Sequence, residues 1–351
     1  NGFVSAGAGA YLGGSAASNT VRGNTFGTNV SYAGVYIDGT AADANLVVSN
    51  SIDGYNAQDQ GIAIRDGDRN ILTNNTIRNS AFFGAGVYLS FTAASNRIVD
   101  NDIFSNGHAG VEFLDTTVDA NRVANNTIHG RGRATAGVYI QRGDGNIITN
   151  NVILGDTVAG IFMTNGAASN TAARNTMASN GSYGVCLIGT NSDANRFVSN
   201  TIRGPSQMFG VRIVDGDQNV ISNNMIAGHS TNAVRMEIGA ASNRVLGNSI
   251  YSNSLAGVSI VSDGADANRV AGNNFNGFDT TLDAIRVTDG DRNTISNNTI
   301  VNHRSRGVFV SGTGASILIA GNTVRSNILG GISIFGDFAD ANRVEANVID
   351  G

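Results

Sequence analysis

The chain has 351 residues, a formal net charge of −5 and a charged fraction of only 14%. It holds no run of 18 or more apolar residues, which argues against a transmembrane helix, and its negative charge argues against the dense basic face of a nucleic-acid binder. Cys186 is the single cysteine, so no internal disulfide forms, and no Cys/His group has zinc spacing.

The chain reads as a repeat from its first residues. Ala10-Tyr11-Leu12 is followed by Asn19-Thr20-Val21 and Asn24-Thr25-Phe26. The pattern Asn-x-apolar-x-x-Asn-x-apolar then returns about every 25 residues. Its first Asn falls at 19, 45, 70, 96, 121, 146, 170, 195, 219, 243, 268, 293 and 342, with Ile317 in the remaining copy. The second Asn is present in every copy, from Asn24 to Asn347. A third element, Gly-[Val/Ile]-x-apolar, lies between copies, as in Gly34-Val35-Tyr36-Ile37 and Gly331-Ile332-Ser333-Ile334.

These elements predict three short strands per coil. Val21, Val47, Leu72 and Ile98 head one apolar column, and Phe26, Ile52, Ile77 and Ile103 a second. Val35/Ile37, Ile62/Ile64 and Val87/Leu89 form the third, at the period of two that a strand requires. No long window shows the 3.6-residue period of a helix. The expected fold is all-β: a right-handed, single-stranded parallel β-helix of three sheets and about fourteen coils, one domain over 1–351. Coils should stack at ~4.8 Å, with the hand set by the preference of parallel crossovers. Each Asn is expected to take a left-handed conformation in its turn and to pair with the Asn above and below. Each Gly before Val or Ile suits a positive φ or a close backbone approach.

The Asn24-to-Asn347 column with its flanking Val/Ile columns resembles the right-handed parallel β-helix repeats of the pectin-lyase-like superfamily. It is similar to the generic repeats described as NosD-like or carbohydrate-binding and sugar-hydrolase repeats. The resemblance covers essentially the whole chain and implies the fold. The superfamily includes lyases, hydrolases, epimerases, phage spikes and adhesin stalks, so function is a separate question. The chain departs from its enzymes. Pro205, the only proline, lies in Arg203-Gly204-Pro205-Ser206, so an epimerase-type Asp-Pro-His-Glu motif is absent. The paired Asp-Asp and Gly-His-Gly of polygalacturonases are also missing.

A longer period of three coils, about 74 residues, overlies the short one. Two places before the first Asn the chain reads Ala17, Asp43, Asp68, Ala94, Asp119, Asp144, Ala168, Asp193, Asp217, Ala241, Asp266, Asp291, Ala315 and Asp340. The pairs Asp43/Asp68, Asp119/Asp144, Asp193/Asp217 and Asp266/Asp291 should stack on adjacent coils, ~5 Å apart, where two carboxylates repel unless something intervenes. One reading is a ladder of Ca²⁺ sites built from carboxylate and turn carbonyl oxygens. The other is that each Asp caps its turn through backbone N–H groups, with Arg65, Arg69 and Arg292 balancing charge. No catalytic dyad is expected, because active sites are few per protein and this pair appears four times.

The third strand carries one outward position per coil. It reads Tyr11, Tyr36, Ala63, Tyr88, Glu112, Tyr139, Phe162, Cys186, Arg212, Arg235, Ser259, Arg286, Phe309 and Ser333. Aromatic rings along a sheet stack on sugars, and Arg pairs with uronate carboxylates. The same column also fits a lateral protein contact, or cross-strand packing alone. His108, His129, His229 and His303 fall in different coils, make no cluster and read as turn residues.

Two functions follow. The leading expectation is a structural or adhesive segment of an exported bacterial surface or filament protein. Its end coils read as uncapped, so they should continue into more chain or stack end to end. The alternative is a module that binds or modifies an acidic polysaccharide, lyase- or C5-epimerase-like. An extracellular or cell-surface location fits both. No catalytic residue is assigned, and Ca²⁺ is the only candidate cofactor.

Overall fold

The fold is set at the corners of each coil. In the computed structural model, which describes residues 7–27, 31–54, 59–278, 280–337 and 339–350, the residue before every ladder Asn has a positive φ. Ser18, Ala44, Arg69, Ser95 and Ala120 lie at 55–58° before the first Asn. Ser49, Asn74, Asp100, Asn125 and Asn150 lie at 53–57° before the second. The left-handed residue is therefore the one preceding the ladder Asn, not the Asn itself. The Asn must hold its amide parallel to the coil axis, and the bend is made one residue earlier. Such a φ costs non-glycine residues of order 1–3 kcal/mol. Backbone bonds offset it at many corners, as where Ala44 N–H donates to Asp68 O at 2.9 Å.

All described regular structure is β-strand, and the strands wind into three parallel sheets. By its contacts the chain divides into two compact units, Asn1–Gly181 and Ser182–Gly351. The first unit holds seven coils. Its sheet A is built from Ala10–Gly13, Ala33–Asp38, Gln60–Arg65, Val87–Ser90, Ala109–Phe113, Ala136–Gln141 and Ala159–Thr164. Its sheets B and C are built from three-residue strands, such as Arg97–Val99 and Asp102–Phe104, apart from the two-residue Thr25–Phe26. The second unit repeats the plan in coils 8–14, its sheet A running from Tyr183–Ile188 to Gly330–Phe335. Pairing within each unit is in register, as in Val35 opposite Ile62 and Ile103 opposite Ile128 in the first and Val211 opposite Val234 in the second. The coil is right-handed.

The predicted apolar columns form the core. Val47, Leu72, Ile98, Ile52, Ile77, Ile103, Val35, Ile37, Ile62 and Ile64 are fully buried. Each contributes about 1.5–3 kcal/mol of transfer free energy. The Gly before Val or Ile serves close approach rather than positive φ. A Cβ on Gly34 would sit 2.5 Å from Ile52 Cγ2 and 2.9 Å from Gly61 O.

The Asn columns are buried hydrogen-bonded ladders. Asn101 N–H donates to Asn126 Oδ1 at 2.9 Å, and Asn101 Nδ2 reaches the same oxygen at 3.0 Å. Its other amide hydrogen serves Leu72 O and Val99 O, at 2.9 and 3.0 Å. A buried polar group left without a partner would cost about 1–3 kcal/mol, so this saturation is what permits Asn in the core. Ile317 breaks the first column: its N–H still donates to Asn342 Oδ1 at 2.7 Å, but it offers no acceptor to Asn293.

Candidate functional site

Sheet A orders the outward column as the sequence predicts. In the first unit Tyr11, Tyr36, Ala63, Tyr88, Glu112, Tyr139 and Phe162 lie opposite one another, coil by coil. In the second, Cys186, Arg212, Arg235, Ser259, Arg286, Phe309 and Ser333 do the same. The column is not uniformly solvent-facing. Ala63, Glu112, Cys186 and Ser259 are buried.

The aromatic members meet in pairs. Tyr36 is 5.5 Å from Tyr11 and 5.0 Å from Tyr32, between ring centroids. Tyr139 lies 5.4 Å from Phe162 and 5.2 Å, edge to face, from His108. The Arg members are held within the sheet. Arg212 and Arg235 converge on Glu237, with Nε–oxygen distances of 2.6 and 2.5 Å. Arg212 also donates to the Tyr183 hydroxyl at 2.9 Å. These two bonds hold the Glu237 carboxyl below its usual range against its burial. Arg286 stands apart, paired at 2.7 Å with the buried Asp283. Burial pushes the Cys186 thiol up to about 12, so it is a packed thiol rather than a nucleophile.

The turn aspartates form a regular capping ladder. Asp119 Oδ1 accepts Asp144 N–H at 2.8 Å, and Asp144 Oδ1 accepts Ala168 N–H at 2.8 Å. Asp43/Asp68, Asp193/Asp217 and Asp266/Asp291 do the same, each second Asp reaching the next Ala. Arg69 and Arg292 bridge the free oxygens of Asp43 and Asp266, at 2.6 and 2.8 Å. The Ala-Asp-Asp code is thus the code of which coil caps its successor. Among the described residues, no group of three or more His, Cys, Asp or Glu is placed to hold a metal.

Coils 3–6 carry a cleft that the repeat pattern did not disclose. It has a volume of ≈ 390 Å³ and is lined by Phe82, Phe83, His108, Arg133, Thr135 and Thr157 together with two glycines. Phe82 and Phe83 are 71% and 82% exposed and pack edge to face at 4.9 Å, an unusual display of apolar surface in a turn that is otherwise polar. Beside them His108 Nδ1 lies 3.0 Å from Glu112 Oε2. The hydrogen bond that His108 donates to the Glu112 carboxylate raises the imidazole above its ordinary range, against its partial burial. His108 was legible as a turn residue, but its carboxylate partner is four residues on, across the start of a strand, and only the fold brings them together. The paired Phe in a Ser/Asn/Gly turn was the available sequence signal.

Two of the remaining histidines are ladder residues. His229 and His303 occupy a third inward polar column, five residues after the second Asn, which also holds Ser80, Asn106, Asp156, Asn180, Asn253 and Asn327. His303 N–H donates to Asn327 Oδ1 at 3.1 Å, and its Nδ1 lies 3.0 Å from the same oxygen. Burial lowers the His229 and His303 imidazoles to about 4. The column escaped sequence reading because it changes residue type at almost every coil. His129 remains on the surface side, its Nδ1 accepting Arg131 N–H at 3.0 Å.

Comparison with known proteins agrees with this architecture. A search of curated protein sequences found no match. Among solved structures, the chain is similar to the A-module of the mannuronan C-5 epimerase AlgE4 of Azotobacter vinelandii. The TM-score is 0.58 at 14% identity, covering 95% of this chain and 90% of that one. It is also similar to the DFA-IIIase of Arthrobacter chlorophenolicus A6, with a TM-score of 0.51 at 15% identity over 80% of this chain and 83% of that one. Both are likenesses of fold. The family model for the periplasmic copper-binding protein NosD matches residues 95–209. The model for the right handed beta helix region matches residues 1–135 and 190–349, well over half the chain. With its three parallel sheets and stacked Asn columns, the chain belongs to the right handed beta helix family.

Proposed function

We propose that the chain is an exported β-helix domain that binds a polysaccharide in the cleft of coils 3–6. The observation that carries this reading is the exposed Phe82/Phe83 pair standing beside His108, Glu112 and Arg133. Aromatic faces stack on pyranose rings, and a guanidinium pairs with a uronate carboxylate. The His108–Glu112 pair supplies an imidazole and a carboxylate in hydrogen-bond reach, the equipment of general acid–base chemistry. This favours an acidic polymer and leaves room for its modification by elimination or epimerisation. Export is supported by the match to a periplasmic family over residues 95–209.

Affinity electrophoresis in gels containing alginate, pectate or a neutral glucan tests the binding, and Phe82→Ala/Phe83→Ala is the control. Retardation by an acidic polymer that the double variant abolishes supports the reading; equal migration in every gel removes it. Incubation with the same polymers, followed by unsaturated-uronate absorbance and by NMR of the product, tests for modification.

A second reading, a structural segment of a surface protein that associates with further copies, is favoured by the regular recurrence of the Asp caps and Asn ladders in both units. Sedimentation and electron microscopy across concentration test it: filaments or higher oligomers support it, and a monomer throughout opposes it.

A further inference from the structure

One buried acid in the first unit has no structural role that the ladders explain. Asp156 occupies the third polar column, and its N–H donates to Asn180 Oδ1 at 3.1 Å as a ladder residue should. Its side chain, however, is fully enclosed, and neither carboxyl oxygen has a hydrogen-bond partner. The cause is one coil below. Between Asn106 in coil 4 and Asp156 in coil 6, coil 5 supplies no ladder side chain. The chain instead leaves the coil as Gly130-Arg131-Gly132-Arg133, with Arg131 and Gly132 at φ of 50° and 72°. Asn106 Nδ2, facing the same gap, is also without a partner.

The gap is lined by Ile103, Asn106, Gly110, Ile128, His129, Gly130, Ala134 and Asp156, and it is too small for a water molecule. The cover over the carboxyl is thin. A Cβ on Gly130 or Gly137 would collide with its oxygens, so both positions are limited to glycine while the loop stays closed. The loop is tied down by backbone bonds from Gly132 N–H to Gly155 O at 2.8 Å and from Gly130 N–H to Leu154 O at 2.9 Å. Its Arg131 guanidinium rests on the Phe104 ring at 4.4 Å, while Arg133 lines the cleft.

His129 lines the gap with Asp156, Arg131 and Arg133 stand in the loop that covers it, and His108 with its partner Glu112 lies at the cleft. The coil 7 and coil 4 neighbours, Asn180 and Asn106, do not titrate. Inside this shell only the neutral carboxyl is accommodated, and desolvation by burial pushes Asp156 well above the usual carboxylate range. Ionisation calls for water or a cation, and opening of the two-arginine loop that covers the gap would admit both.

We propose that Asp156 is a proton-controlled latch: neutral, it lets the Gly130–Arg133 loop close over the gap; ionised, it drives the loop to open, admitting water and drawing the loop arginines toward itself. Opening moves Arg133 out of the cleft wall, so the latch couples pH to the cleft. That last step rests on the polysaccharide reading, whereas the latch itself does not.

Hydrogen exchange by mass spectrometry on the full chain, from pH 5 to 9 and corrected for intrinsic exchange, tests the latch without any ligand. Below the closed-state titration of Asp156 each opening releases one proton, so protection of the 128–138 segment should fall with pH at up to about tenfold per unit, the one-proton linkage slope, and level off above that titration. The turn at 105–108, which has a ladder Asn, serves as the internal reference and should show no such slope. Asp156→Asn, the residue type used at this column by Asn106 and Asn180, should abolish the slope in 128–138. A slope shared by the reference turn, or unchanged in the variant, overturns the proposal. Should the variant fail to fold, the contrast between the two wild-type segments decides alone.

Discussion

Asp193 Oδ1 accepts the backbone N–H of Asp217, one coil on, at 2.7 Å. Asp217 in turn accepts Ala241 N–H at 2.8 Å, and Ala241 has no side-chain acceptor to pass on. The three-coil period of the sequence is thus a period of turn capping. Removing the acceptor in Asp193→Ala should lower stability by about 1 kcal/mol. Asp193→Asn, which keeps an acceptor oxygen, should stay within a few tenths of the wild type on the same scale. Thermal melts of both variants check this. Melts with calcium and with a chelator check the ligand ladder in parallel: with each Oδ1 already taken by an N–H, Tm should be the same in both. A calcium-dependent rise in Tm that Asp193→Asn removes would establish the cation instead.

Interrupting an Asn ladder should cost more than losing a cap. Asn126 accepts from Asn101 N–H and donates to Ile98 O, Ala124 O and Asn151 Oδ1. Asn126→Leu leaves several of these groups buried and unpaired, at about 1–3 kcal/mol each before relaxation. A loss of roughly 3–5 kcal/mol in denaturant unfolding is expected. A loss below about 1 kcal/mol would mean that the neighbouring coils re-pair without it.

His229 and His303 predict acid sensitivity. Their folded-state values of about 4 lie below the ordinary 6.5, so the folded state binds these protons less readily than the unfolded chain. Their contribution is fully present above pH 6.5 and is lost as pH falls toward 4. Each is linked to about 3 kcal/mol over that window. His303→Asn, which places the column's commonest residue there, should flatten the decline of Tm between pH 6.5 and 4. An unchanged slope would place the acid sensitivity elsewhere.

Phe82 and Phe83 are too exposed to matter for folding, so Phe82→Ala/Phe83→Ala should melt with the wild type. Loss of a stacking pair of about 1–1.5 kcal/mol predicts roughly tenfold weaker retention by any polysaccharide the cleft holds. A fall in Tm with unchanged retention would assign the two rings to packing.

The coil, the three sheets, the apolar columns and the two Asn ladders were all legible in the sequence, because each depends on identical residues recurring at one spacing. Stacked coils make every repeated residue its own neighbour, so local pattern and long-range contact are the same information. The outward column was legible in order but not in exposure, since Cys186 and Glu112 are buried where the strand period alone points them to solvent. The left-handed corners were displaced by one residue, from the ladder Asn to Ala44, Ser49 and their equivalents, because the ladder fixes the Asn and leaves the bend to its neighbour. Only the tertiary structure decided the rest. The His108–Glu112 pair, the Phe82/Phe83 wall and the unpartnered Asp156 all arise where one coil departs from its neighbours, and a departure has no period to read.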